Sequence, residues 1–155
     1  MKKFGLSLFI AASLYGCDSD TAEATYTLDS TEWNLTEYGW LPDSKLPPDL
    51  LPKTSYKLQF IEGESNVSGT IDCNSFESSY TATESNISIE YIAPTEKLCP
   101  YATSASEAEL EQYNDQNSFV VLALSTIDSY SLESNELYVI SVGGQYLRFV
   151  SNSSD

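Results

Sequence analysis

Histidine is absent from this sequence and cations are scarce, with 7 lysines and arginines against 23 aspartates and glutamates and a formal net charge of -16. Each shortage excludes a class of chemistry. Without an imidazole there is no Ser-His or Cys-His nucleophile pair and no zinc site built on histidine. So few basic residues cannot neutralise a phosphate backbone, which excludes nucleic acid as a partner, and an anionic lipid surface would repel the chain. Calcium-loop and phosphate-binding glycine motifs are missing from the sequence as well. Paired carboxylates of the kind that hydrolyse glycosides carry no information here, because 23 acidic residues place some pairs together by number alone. The sequence therefore names no catalytic residue, no metal ligand and no cofactor, and the expectation is a protein that is not an enzyme.

Long apolar runs are also missing. The longest, Phe4 to Tyr15, follows Lys2 and Lys3 and is too short to span a bilayer as a helix, so residues 1–16 read as a secretion signal. Its end, Leu14-Tyr15-Gly16-Cys17, resembles the bacterial lipobox, with Tyr15 in place of the usual small residue. That resemblance implies cleavage before Cys17 and acylation of its thiol. Several acyl chains, at roughly 0.8 kcal/mol per buried methylene, hold a protein firmly on a bilayer. Cleavage also removes Lys2 and Lys3, taking the formal charge from -16 to -18. Asp18 resembles the signal that retains such proteins in the inner membrane. The expected location is thus the bacterial cell envelope, lipid-anchored and facing the periplasm, with residues 17–30 as a polar, acidic tether.

Beyond the tether the pattern is mainly β. Trp33 and Leu35, with Tyr38 or Trp40, alternate as on a half-buried strand. Prolines 42, 47, 48 and 52 then exclude a central strand or a regular helix, so this stretch reads as an exposed loop. Tyr56, Leu58 and Phe60 share one strand face, residues 62–66 have turn chemistry, and Val67, Gly69 and Ile71 lead into a corner at Asp72–Ser75. A strand from Phe76 to Ala82 follows, and then a segment from Asn86 to Ala93 that points Ile87, Ile89 and Tyr91 inward, with a register change near Ile92. Ser104 and Ser106, each three residues ahead of a glutamate, mark a helix start. Leu110, Tyr113, Val120 or Val121, and Leu124 continue one helical face, although Asp115–Ser118 are poor helix formers and allow a break, with a strand over residues 119–124 as the alternative. Closing strands are expected at 129–132, 137–142 and 145–150, turning at Asn135-Glu136 and Gly143-Gly144.

With Cys17 acylated, Cys73 and Cys99 form an even pair in an oxidising compartment, which favours a disulfide. Closing a loop of about 27 residues stabilises by roughly 3 to 4 kcal/mol in the chain-entropy model. No closely spaced cysteine motif points to redox catalysis, so the bond is expected to be structural.

The same stretch carries a family likeness. Gly69-x-x-x-Cys73-Asn74-x-Phe76-x-x-x-Tyr80, followed by Ile87-x-Ile89-x-x-Ile92-x-x-Thr95-x-x-x-Cys99, resembles the META domain of HslJ-like heat-shock lipoproteins. Trp33-x-Leu35 and the Phe60 strand fit its opening, and Asp72 and Ser78 stand where that family often has glycine. The likeness implies one domain over residues 31–151, a small antiparallel barrel-like sheet with one main α-helix packed on it. It also implies a link to stress response and drug tolerance without an established catalytic activity. Gly69, Asn74, Phe76, Tyr80 and Thr95 are then structural residues, Asn74 bonding the turn backbone and the two aromatics packing. The expected role is a tethered binding module for a small-molecule ligand or another envelope protein. The alternatives are a purely structural partner of an envelope protein and a carboxylate-based hydrolase. The 11 tyrosines, each an apolar body with a polar tip, suit binding and packing alike.

Overall fold

A computed structural model describes residues 27–29, 31–42 and 49–151. The secretion signal, Cys17, Asp18 and prolines 47 and 48 lie outside the described residues. Eight strands form one antiparallel sheet: β1 (Glu32–Trp40), β2 (Tyr56–Phe60), β3 (Asn66–Ile71), β4 (Asn74–Ala82), β5 (Ile87–Ile89), β6 (Ile127–Glu133), β7 (Glu136–Ser141) and β8 (Gln145–Ser151). One helix, α1 (Glu107–Ser125), separates β5 from β6.

The sheet runs in the order β5-β4-β3-β2-β1-β8-β7-β6, so the chain steps outward from β1 to β5 and, after α1, returns from the opposite edge at β6 to β8 beside β1. The ends nearly meet: Tyr130 donates its backbone N–H to Ser85 O at 3.0 Å, and Asn86 Nδ2 donates to Asp128 O at 2.6 Å. The result is a nearly closed barrel-like sheet with one main helix packed on it.

Side-chain alternation decides which residues fill it. Trp33, Leu35, Tyr56, Leu58, Phe60, Val67 and Ile71 point inward from the first three strands, and Leu137, Val139, Leu147 and Phe149 from β7 and β8, all buried. Val120, Ala123 and Leu124 of α1 join the same core, so helix side chains occupy the interior that the strands enclose. Register shifts at Leu35/Glu37 on β1 and Ile127/Ser129 on β6 bend two strands, as bulges do in a sheet curling on itself.

Several expectations needed adjustment. Thr27–Asp29, placed by sequence in the tether, already pack on the sheet: Trp33 Nε1 donates to Leu28 O at 3.2 Å, and Asp29 bridges to Phe60. β5 ends at Ile89; Tyr91 faces solvent at 74% exposure while Ile92 turns inward at 6%, because Tyr91 N–H bonds the Ser78 hydroxyl instead of continuing the ladder. The turn before β7 is centred on Ser134-Asn135, and Val142 leaves its strand for the turn that Gly144 closes with φ +82.

The largest difference concerns α1. It runs 19 residues without a break from an N-cap at Ser106, whose hydroxyl and Glu109 form a reciprocal capping box. Asp115–Ser118 stay helical because two of them have tertiary work. Gln116 is buried and bonds Leu51 N, Tyr56 OH and Thr54 Oγ1, and Asn117 accepts from Tyr56 OH at 2.6 Å. Weak propensity is overridden by these bonds and by burial of Val120 and Leu124.

This packing separates two neighbouring leucines. Leu124 is 1% exposed and Leu122 is 52% exposed. Leu124→Ala is expected to cost about 3 kcal/mol in chemical denaturation, whereas Leu122→Ala should leave the midpoint nearly unchanged; equal effects would mean that α1 packs with another face.

Candidate functional site

The motif residues meet at one corner of the barrel, where β3 turns into β4. Cys73 and Cys99 are bonded there, with Cα atoms 5.6 Å apart and a separation of 26 positions in sequence. Sequence reading gave Asn74 the turn backbone as its partner. The structure gives it the segment ahead of Cys99 instead. Asn74 Oδ1 accepts from Lys97 N at 2.7 Å and from Thr95 Oγ1 at 2.9 Å, while Asn74 Nδ2 donates to Lys97 O at 3.3 Å. Thr95 adds a two-way bond to Ser75: its backbone N–H donates to Ser75 O, and its hydroxyl accepts from Ser75 N. The C-N-x-F and T-x-x-x-C elements are therefore two sides of one clasp, joined covalently at the cysteines and by amide-like bonds one residue further on.

The other motif positions extend the corner into the sheet. Gly69 lies beneath Phe76: a Cβ there would fall 2.4 Å from Lys57 O and 2.6 Å from Phe76 Cε1, so no larger residue fits without moving backbone. Phe76 and Tyr80 are buried on the inner face of β4. Tyr80 packs edge-on to Phe60 with centroids 4.9 Å apart, and its hydroxyl donates to Asp29 Oδ1 at 2.6 Å, which fastens the start of the domain to β4.

Tyr101 and Gln116 were not singled out by sequence, and Asp72 was noted only for standing where the family often has glycine. Asp72 is 4% exposed and has φ 59, a left-handed conformation that suits glycine and that aspartate tolerates. That backbone conformation is the physical reason an aspartate can stand where the resemblance led one to expect glycine. The Tyr101 hydroxyl donates to the Asp72 carboxylate. Burial first, and then this bond, raise the Tyr101 hydroxyl well above the usual tyrosine range. Tyr101 stacks on Tyr113 with centroids 3.9 Å apart, and Tyr113 OH bonds Pro52 O, so the start of α1 and the proline-rich segment close over the corner.

Asp72 Oδ2 also lies 3.1 Å from Cys99 Sγ. A disulfide sulfur has no proton to donate, so this is a carboxylate held against the bond and not a hydrogen bond. Its consequence is chemical. Cys99 is 7% exposed and Cys73 is the more accessible sulfur. A thiolate attacking Cys73 Sγ must expel Cys99 as a thiolate beside the Asp72 carboxylate, and a neighbouring negative charge makes that a poorer leaving group. Although Asp72, Cys73 and Cys99 bring their ligand atoms within 4.8 Å of one another, both thiols are consumed by the disulfide, so the group does not fit a metal site as it stands.

The surface around the barrel offers two kinds of feature. One groove of about 500 Å³ on the outer sheet face is lined by Lys57, Ser68, Thr70, Ser75 and Glu77 among others, and a second of about 460 Å³ by Thr27, Asp29, Tyr80 and Tyr130. Both linings mix polar with apolar groups, the first including Leu58 and Phe76 and the second Leu28 and Ala82. Elsewhere, Trp40, Leu41, Leu122 and Val142 expose between 42% and 76% of their surface.

The disulfide clasp, the nearly closed eight-stranded sheet and the single helix filling it define a clasped α+β barrel of the kind that the motif resemblance implied. A family model, the META domain, matches residues 26–154, and the chain belongs to that family. Among solved structures, a protein from Burkholderia xenovorans determined by NMR is similar at 17% identity and a TM-score of 0.57, over 99% of each chain, which bears on the fold alone. A DUF4847 family protein from Bacteroides vulgatus aligns at 14% identity and a TM-score of 0.49, over 83% of this chain and 96% of that one. No curated protein matches the sequence.

Two outcomes follow from the corner. Asp72→Asn, which keeps a side chain able to adopt the left-handed backbone and to bond Tyr101, is expected to speed reduction of the disulfide by a small dithiol about three- to tenfold. Thiol titration against time measures this, and an unchanged rate at unchanged melting temperature would remove the protective role. The second concerns alkali. Tyr80 and Tyr146 are each pushed up to about 12, by burial first and then by bonds to Asp29 and Glu37, and burial raises Tyr56 further. Their unfolded-state value is near 10, so the stabilisation is complete below pH 10 and is lost as pH rises towards 12. Denaturation midpoints should fall across that window; a flat profile would show that these hydroxyls ionise freely in the folded state.

Proposed function

We propose that this chain is a lipid-anchored envelope protein, held through acylated Cys17 at the periplasmic face of the inner membrane, whose META domain serves stress response and drug tolerance as a non-catalytic binding module. The observation that carries the binding role is the group of exposed apolar residues Trp40, Leu41, Leu122 and Val142. Interior side chains of α1 occupy the barrel, which favours a macromolecular partner at the surface over a small ligand inside it. Exposed apolar area of this kind, set in an acidic surface, suits association with another protein.

Support for the anchor comes from the Leu14–Cys17 pattern and from the start of the family match at residue 26, which leaves room for a tether. Family membership supports the non-catalytic role and the stress setting. A carboxylate-based hydrolase has nothing comparable in its favour.

The anchor is tested directly. Cys17→Ser should move the protein from the membrane fraction to the soluble fraction on cell fractionation, with loss of acyl-chain labelling. Unchanged membrane association in the variant would overturn the lipoprotein reading.

A further inference from the structure

Four of the exposed apolar residues, Trp40, Leu41, Leu122 and Val142, are linked by contacts between their segments, whereas Ile61, Tyr91 and Leu98 are exposed elsewhere. Trp40 packs edge-on to Phe119 of α1 with centroids 5.4 Å apart. Leu41 N–H bonds Gly144 O at 2.7 Å, beside the turn that exposes Val142. Val142 N–H bonds Thr126 O at 2.8 Å, and the Thr126 hydroxyl bonds Leu122 O at 2.7 Å. One helical turn from Leu122 returns to Phe119. The residues thus enclose a single patch where α1 ends between the tip of β1 and the β7–β8 turn.

What surrounds this patch is one-sided in charge. α1 carries Glu107, Glu109, Glu111 and Asp115 and contains no lysine or arginine. Glu111, Asp115 and Leu122 are all exposed. At 100° and 1.5 Å per residue they fall within about 40° of one another, with the two acids about 17 and 10 Å along the axis from Leu122. An acidic stripe therefore leads along the open face of the helix into the apolar patch.

Resting on the reading of the domain as a binding module, we propose that this surface docks a cationic amphipathic segment of a protein partner, apolar side chains on Trp40, Leu122 and Val142 and basic ones along Glu111 and Asp115. Charge complementarity selects that occupant: the chain has a net charge of -16, so a second copy brings like charge to the same stripe. Placement argues against lipid. Thr27–Asp29 lie just ahead of β1, a strand of 9 residues that ends at Trp40, about 27 Å from its start at the rise of an extended strand. An anchor ahead of Thr27 leaves the patch at the far end of the barrel.

The protein carries its own reporter. It has 2 tryptophans, of which Trp33 is fully buried and Trp40 is 51% exposed, so a change in emission reads the patch. The full chain would be titrated with a synthetic amphipathic peptide of lysine and leucine, and with its glutamate-for-lysine analogue. The expected result is a saturable blue shift with the cationic peptide alone, weakening as salt rises. Binding should be about fivefold weaker in the Glu111→Gln/Asp115→Asn variant and about tenfold weaker in Leu122→Ser, a solvent-facing change that leaves the fold intact by circular dichroism. Equal binding of the two peptides, no saturable shift, or full affinity in Leu122→Ser would overturn the proposal. Concentration-dependent self-association lost in Leu122→Ser would assign the patch to a second copy, and a shift with neutral phosphatidylcholine vesicles but not with peptide would assign it to lipid; either overturns it. An envelope partner captured equally by the wild-type chain and by Leu122→Ser would remove this surface while leaving the binding-module reading in place.

Discussion

Everything at the corner depends on a single crossing: the strand end at Cys73-Asn74 held to the segment 95–99. The disulfide joins the two stretches covalently, and the Asn74 carboxamide makes three further bonds to Thr95 and Lys97. Because β5 is only three residues long, it cannot fix by itself the path of the chain that leaves it. The clasp does so. It brings the chain back to the β3–β4 corner, from which Tyr101 and the start of α1 pack over the barrel end. Asp72 is part of that arrangement, bonded by Tyr101 and held against Cys99 Sγ.

The helix is the second support, and polar groups place it as much as apolar ones. Val120, Ala123 and Leu124 enter the main core, but hydrophobic contact alone leaves a helix free to slide or rotate. Gln116 removes that freedom. It accepts from Leu51 N and Tyr38 OH and donates to Tyr56 and Thr54, so β1, β2 and the segment before β2 are keyed to one helical position. A fully bonded buried carboxamide is specific because any other register would strand its donors. The same registration puts Phe119 against Trp40, with Leu122 exposed one helical turn further along.

Functional reading of the molecule comes down to where its few unusual surfaces lie. The disulfide corner is occupied by structural bonds, and the grooves have mixed linings of polar, charged and apolar side chains. The patch is different in kind, since two leucines, a valine and a tryptophan stay in water at the far end of the barrel from the entering chain.

Much of this was legible in the residues taken in order. Alternation placed Trp33, Leu35, Tyr56, Leu58 and Phe60 inside, and inward-facing residues on a pleated strand repeat every second position wherever the strand goes. The cysteine count and the C-N-x-F and T-x-x-x-C spacing pointed to the clasp, and Ser106 with Glu109 to the helix start, because capping and disulfide pairing are short-range or covalent constraints. What sequence left open was set by contacts between distant segments. Whether Asp115–Ser118 stay helical depended on Gln116 meeting residues some 60 positions away, as in its bond to Tyr56 at a separation of 60. Whether Asn74 bonds its own turn or the incoming strand, which of Tyr91 and Ile92 faces the core, and that Trp40, Leu122 and Val142 share one surface are likewise properties of the closed sheet. Local pattern determines which side of an element is apolar; only the assembled barrel decides which of those apolar side chains find cover.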